Sequence, residues 1–366
     1  MEKNTEKFSQ VNQLVSEAEK DYGLSMYTLG TLYYHGDDFY GVNQNYTEAA
    51  NWFKKAANLG YSEAMNYLGI MYENGDGVMR SPAKAFNMYS EAAEMGDNNA
   101  MCNLGRMYWF GISTKRDILK AEKWYRKSAE KGNTHAMFNL GMLYYGDDEI
   151  APNYSESFYW FHKAAEQGEG FSMFYTGQMY EKGVGVKQCN FHAAIWYFKA
   201  AEKGNTDGMN SLGRMLENGI GVEQDFSEAL KLYRRSAEND DAIGMCNLGL
   251  MYYYGKGTKQ NYKEALKWLI KAEQSFNIKA KYYLGEMYYY GKGIPQNYIK
   301  AFKHYSIAAD NGCVEAIERL GQMYCEDKNI IPNHEQVVEW FRFAIDVGIA
   351  DAIKVFNRIK RKQTFE

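Results

Sequence analysis

The sequence predicts an all-α fold: an α/α superhelical solenoid of about nine helical hairpins, each 36 residues long. Three observations carry this expectation. The phrases "MCNLGRMYWFG" (101–111) and "MCNLGLMYYYG" (245–255) differ at three of eleven positions and lie 144 residues apart. The glycine they share recurs as Gly69, Gly105, Gly141, Gly177, Gly213, Gly249, Gly285 and Gly321, always 36 residues on. Glycine-rich breaks and helix-cap residues then fall at fixed offsets from it. A constant period of this length marks a repeat array, in which each unit touches only its neighbours. One more copy, around Gly30, comes 39 residues before Gly69, the extra three residues lying in "DDFYG" (37–41). The array therefore runs over 22–348, between a capping helix in 1–21 and a capping helix with a basic tail in 349–366.

Each repeat opens on a helix. Ala64, Met65, Leu68, Gly69, Met71 and Tyr72 cover one broad face at about 100° per residue. The position five before the glycine is small in every copy (Ser25, Ala64, Ala100, Ala136, Ser172, Gly208, Gly244, Ala280 and Ala316). With the glycine it lets a second backbone approach closely, and a larger residue there would overpack.

Breaks follow: "GDG", "GVG", "GIG" and "GKG" at 75–77, 183–185, 219–221, 255–257 and 291–293. Such glycines serve turns with positive φ. Twelve residues after the repeat glycine stands an N-cap type: Ser81, Asp117, Asn153, Asp225, Asn261, Asn297 or Asn333, with Asn45 in the first repeat. Glu48, Glu156, Glu228, Glu264 and Gln336 complete capping boxes three residues later. The second helix carries "AxxWFxKAA", and Gly60, Gly96, Gly132, Gly168, Gly204 and Gly312 stop it.

The ends read as covers. Phe8, Val11, Val15 and Ala18 make one helical stripe over the first repeat, and 350–362 reads as an unpaired first helix. Terminal repeats need such covers to stay soluble.

The full pattern A-x-x-x-L-G-x-M-Y-x-x-G-x-G-V…A-x-x-W-Y-x-K-A-A-x-x-G resembles the Sel1-like repeat, a relative of the tetratricopeptide repeat. The resemblance covers about nine tenths of the chain. It implies first helices lining a concave side and a role as adaptor or scaffold in protein complexes. Four departures stand out. Repeat 4 has the shortened loop "YYGDDEIAPN", and repeat 9 has Asp327 and Asn329 in place of glycines. Asp240 and Phe276 replace the glycine that ends the second helix. These leave local turn geometry open.

Composition narrows the function. A net charge of −4 gives no electrostatic case for nucleic acid or an acidic membrane. The N-terminus lacks the basic and apolar regions of a signal peptide. Cys102, Cys189, Cys246, Cys313 and Cys325 are read as reduced thiols, and the expected location is cytoplasmic, with delivery into a host by a non-classical route left open. No cofactor or metal is expected, because histidines and cysteines do not cluster at ligand spacing. "YYYGKGTKQ" (252–260) is a repeat turn rather than a phosphate loop, since Leu250 stands where a phosphate loop has glycine. The methionines at core offsets are packing, and "RIKRKQ" (358–363) is a solvated cap face.

One face is left over. Positions −6, −3, +1 and +4 from the glycine lie opposite the core and are ordinary polar surface in repeat 2 (Glu63, Asn66, Ile70, Glu73). In repeats 3–5 they include Arg106, Trp109 (followed by Phe110), Phe138, Tyr145, Phe171 and Phe174. Arg214 follows in repeat 6, and Tyr253, Tyr282 and Tyr289 in repeats 7 and 8. Exposed contiguous apolar surface marks a contact site, so these eleven residues are the expected contacts for a protein or peptide, with the arginines meeting carboxylates or carbonyls. The competing reading is that the aromatics pack between helices. The expected function is a non-enzymatic adaptor, monomeric or weakly dimeric. Hydrolytic or small-molecule activity and a self-associating array are the alternatives.

Overall fold

A computed structural model describes residues 13–20, 22–146 and 150–325, and singly 339, 340, 342 and 345. Helices alternate along the chain in hairpins. The first four repeats comprise α1 (Gly23–His35) with α2 (Tyr46–Asn58), α3 (Ser62–Asn74) with α4 (Pro82–Glu94), α5 (Asn98–Phe110) with α6 (Ile118–Glu130), and α7 (Thr134–Tyr145) with α8 (Tyr154–Glu166). There follow α9 (Gly170–Lys182), α10 (Asn190–Glu202), α11 (Thr206–Asn218), α12 (Phe226–Glu238), α13 (Ala242–Tyr254) and α14 (Tyr262–Gln274). The described array ends with α15 (Ile278–Tyr290), α16 (Tyr298–Asp310) and α17 (Val314–Cys325). The expected all-α solenoid is what forms. The chain divides within α9 into two compact units, residues 1–176 with 184–187 and residues 177–183 with 188–366.

The repeat glycine is spent on an aromatic ring of its own hairpin. A Cβ on Gly69 would sit 2.4 Å from the Tyr89 ring, one on Gly141 2.5 Å from Phe161, and one on Gly213 2.7 Å from Tyr233. The ring stands 20 residues after the glycine and is fully buried in each case. The small residue five before the glycine serves a different neighbour. A Cβ on Gly208 would meet Ala200, and one on Gly244 would meet Ser236, both on the preceding second helix. The close approach foreseen at this position is therefore the joint between repeats.

The caps hold. Asn45, Ser81, Asp117, Asn153, Asp225, Asn261 and Asn297 each accept a hydrogen bond from the backbone N–H three residues on. Each such cap is worth about 1 kcal/mol. A second set, on the first helices, is not among the sequence expectations. Asp97, Asn133, Asn205, Asp241 and Asn277, eight residues before the repeat glycine, cap α5, α7, α11, α13 and α15.

The loop is also tied. Its paired glycines take left-handed φ, as at Gly255 (70°) and Gly257 (66°). A Cβ on Gly257 would lie 2.2 Å from the Phe226 carbonyl oxygen, so the second glycine lets the loop rest on the start of the previous second helix. Gln188, Gln224, Gln260 and Gln296 donate to the carbonyls of Glu181, Glu217, Tyr253 and Tyr289, closing the ends of their first helices.

Two of the departures keep the repeat's geometry. Asp240 and Phe276 adopt φ of 57° and 61°, the left-handed conformation that glycine holds in other repeats. In repeat 1 the extra residues form a small reversed loop, with Asp37 and Val42 exchanging backbone hydrogen bonds. At the N-terminal end residues 13–18 are helical, and Ala18 is buried against the first repeat beside Leu14 and Val15. Phe8, Val11, Asn333, Gln336, Asp327, Asn329 and residues 349–366 lie outside the described residues, as does the centre of the repeat 4 loop, 147–149.

Candidate partner-binding face

The first helices set the site. At two joints, position +4 of one first helix, position +1 of the next and the buried tyrosine at +20 form a group, and a third joint has a variant of it. Tyr89 donates to Glu73 (3.1 Å), and Arg106 of the next repeat donates to the same carboxylate (2.5 Å). Tyr197, Glu181 and Arg214 repeat the arrangement at 2.7 and 2.5 Å. Tyr233 donates to Glu217, whose other oxygen accepts from Lys256. Burial first, and then the adjacent carboxylate, pushes these tyrosine hydroxyls above their ordinary range, so they remain protonated donors.

Ring and carboxylate go together along the chain. Where +4 is glutamate, +20 is tyrosine: Glu73 with Tyr89, Glu181 with Tyr197, Glu217 with Tyr233. Where +4 is aromatic, the residue at +20 lacks a hydroxyl in three repeats: Tyr34 with Phe53, Tyr145 with Phe161, Tyr253 with Leu269. Tyr305 finds its carboxylate at Glu286 instead, at 2.7 Å, which Arg319 also grips. Tyr125 breaks the rule. Trp109 stands at +4 in that repeat, and the buried Tyr125 hydroxyl has no hydrogen-bond partner among the described residues.

The eleven expected contact residues divide accordingly. Arg106 and Arg214 pair with Glu73 and Glu181 across the repeat joint. Tyr253 is 4% exposed and buried, its hydroxyl accepting from Lys292, so it presents no surface. Cys246 and Leu250 on the same face are buried with it. In that stretch the second reading, packing between helices, is the one that holds. Tyr282 and Tyr289 are half-buried against the cluster around Tyr305.

The first unit keeps two partly exposed aromatic groups. Phe110 is 64% exposed and stacks on half-buried Trp109 at 5.4 Å, and Trp109 meets Tyr125 edge-on. Phe171 is 56% exposed and lies 6.2 Å from Phe138, itself against Phe161 and Tyr175. Tyr145 packs edge-on to Tyr154 and Tyr175, and Phe174 edge-on to Tyr175. Inner rings thus pack while Phe110 and Phe171 reach solvent.

The carboxylate–tyrosine groups escaped the sequence reading, although the pairing of Glu at +4 with Tyr at +20 is visible in the letters. So did exposed Phe191, Ile195 and Phe198 on α10, which stand within the segment that carries the core motif. Among the described residues no three His, Cys, Asp or Glu side chains gather to hold a metal ion, and no helix is long and apolar enough to cross a membrane.

Tandem hairpins with a regular joint and one variable face define a repeat protein of the α/α-solenoid class. Comparison with known proteins places it more narrowly. The Sel1 repeat model matches nine consecutive segments, 23–61, 62–97, 98–133, 134–169, 170–205, 206–241, 242–274, 278–313 and 314–348. The chain belongs to the Sel1 repeat family. It is similar to c5321, described as a protective antigen of uropathogenic Escherichia coli strains with an SLR fold: 34% identity, TM-score 0.80, over 93% of this chain and 73% of that one. It is also similar to a Sel1 repeat protein from Oxalobacter formigenes, at 30% identity and TM-score 0.62 over 85% and 89% of the two chains. No curated protein matches it.

Proposed function

We propose that this protein is a non-enzymatic scaffold that binds a protein or peptide along the first-helix face of repeats 3–5. Sel1 repeats generally mediate protein–protein interaction. What singles out this face is the pair Phe110 and Phe171, each more than half exposed at the edge of packed rings. Such rings offer large apolar contact area with little rotamer freedom to lose, which is where interface energy concentrates. The inner rings preorganise these two groups, so binding need not order them. Trp109, Phe138, Tyr145 and Phe174 are the half-buried rings of the same repeats.

The test is site-specific photocrosslinking in the full chain. p-Benzoylphenylalanine replaces Phe110 or Phe171, with exposed Ile299 on a second helix as the control position. The expected result is the same protein adduct from 110 and 171 and its absence from 299. Adducts only with further copies of this chain would point to the self-associating alternative. An adduct equally abundant at 299 would remove the face from consideration.

A further inference from the structure

Among the described residues, the second helix of repeat 5 exposes an apolar stripe. At the position 18 residues after the repeat glycine the array mostly carries polar side chains, such as Asn87, Lys123, Lys231 and Lys303. Three residues later it mostly carries polar side chains, such as Arg126, His162 and Arg234, with Ile270 in repeat 7. Repeat 5 has Ile195 and Phe198 there, preceded by Phe191. They follow i, i+4, i+7 spacing on α10 and so share one face over two turns. Their exposures are 60%, 36% and 55% for Phe191, Ile195 and Phe198.

This stripe edges a groove of about 510 Å³ between α10 and α12, lined from α11 by Leu212 and Leu216 and from α12 by Leu232. The same groove between α2 and α4 holds about 310 Å³ and has Lys54, Asn58, Lys84 and Glu91 at its edge. A groove between second helices is thus part of the scaffold, and an apolar rim is what repeat 5 adds. Charge completes the description. Of the four charged residues lining it, Glu202 is paired with Arg235 (3.2 Å), and Glu228 with Lys231 (2.8 Å). Lys199 has no acidic partner among the described residues and lies 3.9 Å over the Trp196 ring.

We propose that this groove is a second docking site, for an amphipathic helix of a partner protein carrying a carboxylate beside its apolar stripe. A groove walled by two helices and floored by leucines fits the helix-in-groove mode, in which anchors recur at i, i+3, i+4 and i+7. The partner's carboxylate completes Lys199, whose ammonium is held at the rim by the indole face. The site lies on the second helices, so it stands or falls separately from the aromatic face of repeats 3–5.

The probes are two fluorescein-labelled helical peptides of roughly 18 residues, long enough to hold a helical face. Both carry leucines at i, i+3, i+4 and i+7; one is flanked by glutamates and the other by lysines. Anisotropy with the full chain should show the glutamate peptide binding at least about tenfold more tightly, a difference of about 1.4 kcal/mol. Phe198→Lys should weaken that peptide at least about tenfold, and Lys199→Glu should reverse the preference. Circular dichroism should show both variants folded, since both side chains are exposed. Equal binding of the two peptides, or binding indifferent to Phe198→Lys, would overturn the proposal. So would light scattering that shows the unliganded chain to be a dimer dissolved by Phe198→Lys, because a second copy would then be the occupant.

Discussion

The indole of Trp109 lies edge-on to the ring of Tyr125, centroids 5.9 Å apart, at the sequence position that Glu73 holds beside Tyr89. One array position thus either ties two repeats together through a carboxylate or displays an aromatic ring. The tyrosine hydroxyls should report this exchange. Tyr197→Phe removes a donor to Glu181, also held by Arg214, and should cost about 1.5–3 kcal/mol, as hydrogen bonds to charged groups do. Tyr125→Phe removes a buried hydroxyl that bonds nothing among the described residues and should be neutral or stabilising. Denaturant melts of the two variants decide it, and an equal loss in both would show that Tyr125 has a partner after all.

The repeat glycine and the small residue before it should fail in different ways. Gly213→Ala drives a Cβ into Tyr233 within one hairpin, while Gly244→Leu wedges α13 away from Ser236 of α12. Overpacking of this kind costs about 1–3 kcal/mol, and the larger leucine belongs at the upper end. Hydrogen exchange should localise the first to α11 and α12 and the second to the α12–α13 joint. Wild-type melting in both variants would mean that these close approaches are not real.

Positive φ at Phe276 and Asp240 offers a gain in stability. A left-handed side chain other than glycine costs about 1–3 kcal/mol, and asparagine or aspartate bears it more easily than phenylalanine. Glycine returns about 0.4–1 kcal/mol of that through its looser unfolded chain. Phe276→Gly should therefore stabilise by about 1 kcal/mol, and Asp240→Gly by less. Calorimetry that finds Phe276→Gly destabilising would indicate that this side chain makes a contact its 85% exposure does not suggest.

Period and punctuation were legible in the letters because every repeat solves the same local problem with the same residue. Asn45, Ser81 and Asp225 cap as their type and spacing require. The outer face was less legible because its neighbours come from the next repeat, 33 residues away for Glu73 and Arg106. A single repeat shows Arg106 as surface, and only the stacked pair shows it as a tie. Tyr253 is hidden in the same way, since Lys292 of the following repeat donates to its hydroxyl. The exposed stripe of α10 was hidden by its resemblance to a core motif: Trp196 and Tyr197 are buried as the motif demands, and Ile195 and Phe198 beside them are not.

Thiol reactivity should follow burial. Burial pushes the Cys102 thiol up to about 11 and the Cys246 thiol up to about 12, so almost no thiolate exists at pH 8 to attack a disulfide reagent. Cys189 is free and partly exposed at the start of α10. Titration of the folded chain with an aromatic disulfide should modify Cys189 well before Cys102 and Cys246, which should react only on unfolding. Rapid modification of Cys102 in the native protein would show that the first-helix face opens more than its packing indicates.

The contact face itself should separate binding from folding residue by residue. Phe110 and Phe171 project into solvent, so Phe110→Ala and Phe171→Ala should leave the melting temperature nearly unchanged. Each should weaken the crosslinked partner by about 1–3 kcal/mol if this face is the interface. Trp109→Ala and Phe138→Ala remove half-buried rings that pack on Tyr125 and Phe161, and they should lose stability as well as affinity. Arg106→Ala should do the reverse of Phe110→Ala. It strips Glu73 of its cation, loosening the joint between repeats 2 and 3, while affinity corrected for the folded fraction stays close to wild type. Calorimetric titration with the partner, beside thermal melts of each variant, gives both numbers. Loss of affinity in Arg106→Ala with Phe110→Ala unaffected would move the interface off the aromatic rings and onto the ion-paired ridge beside them.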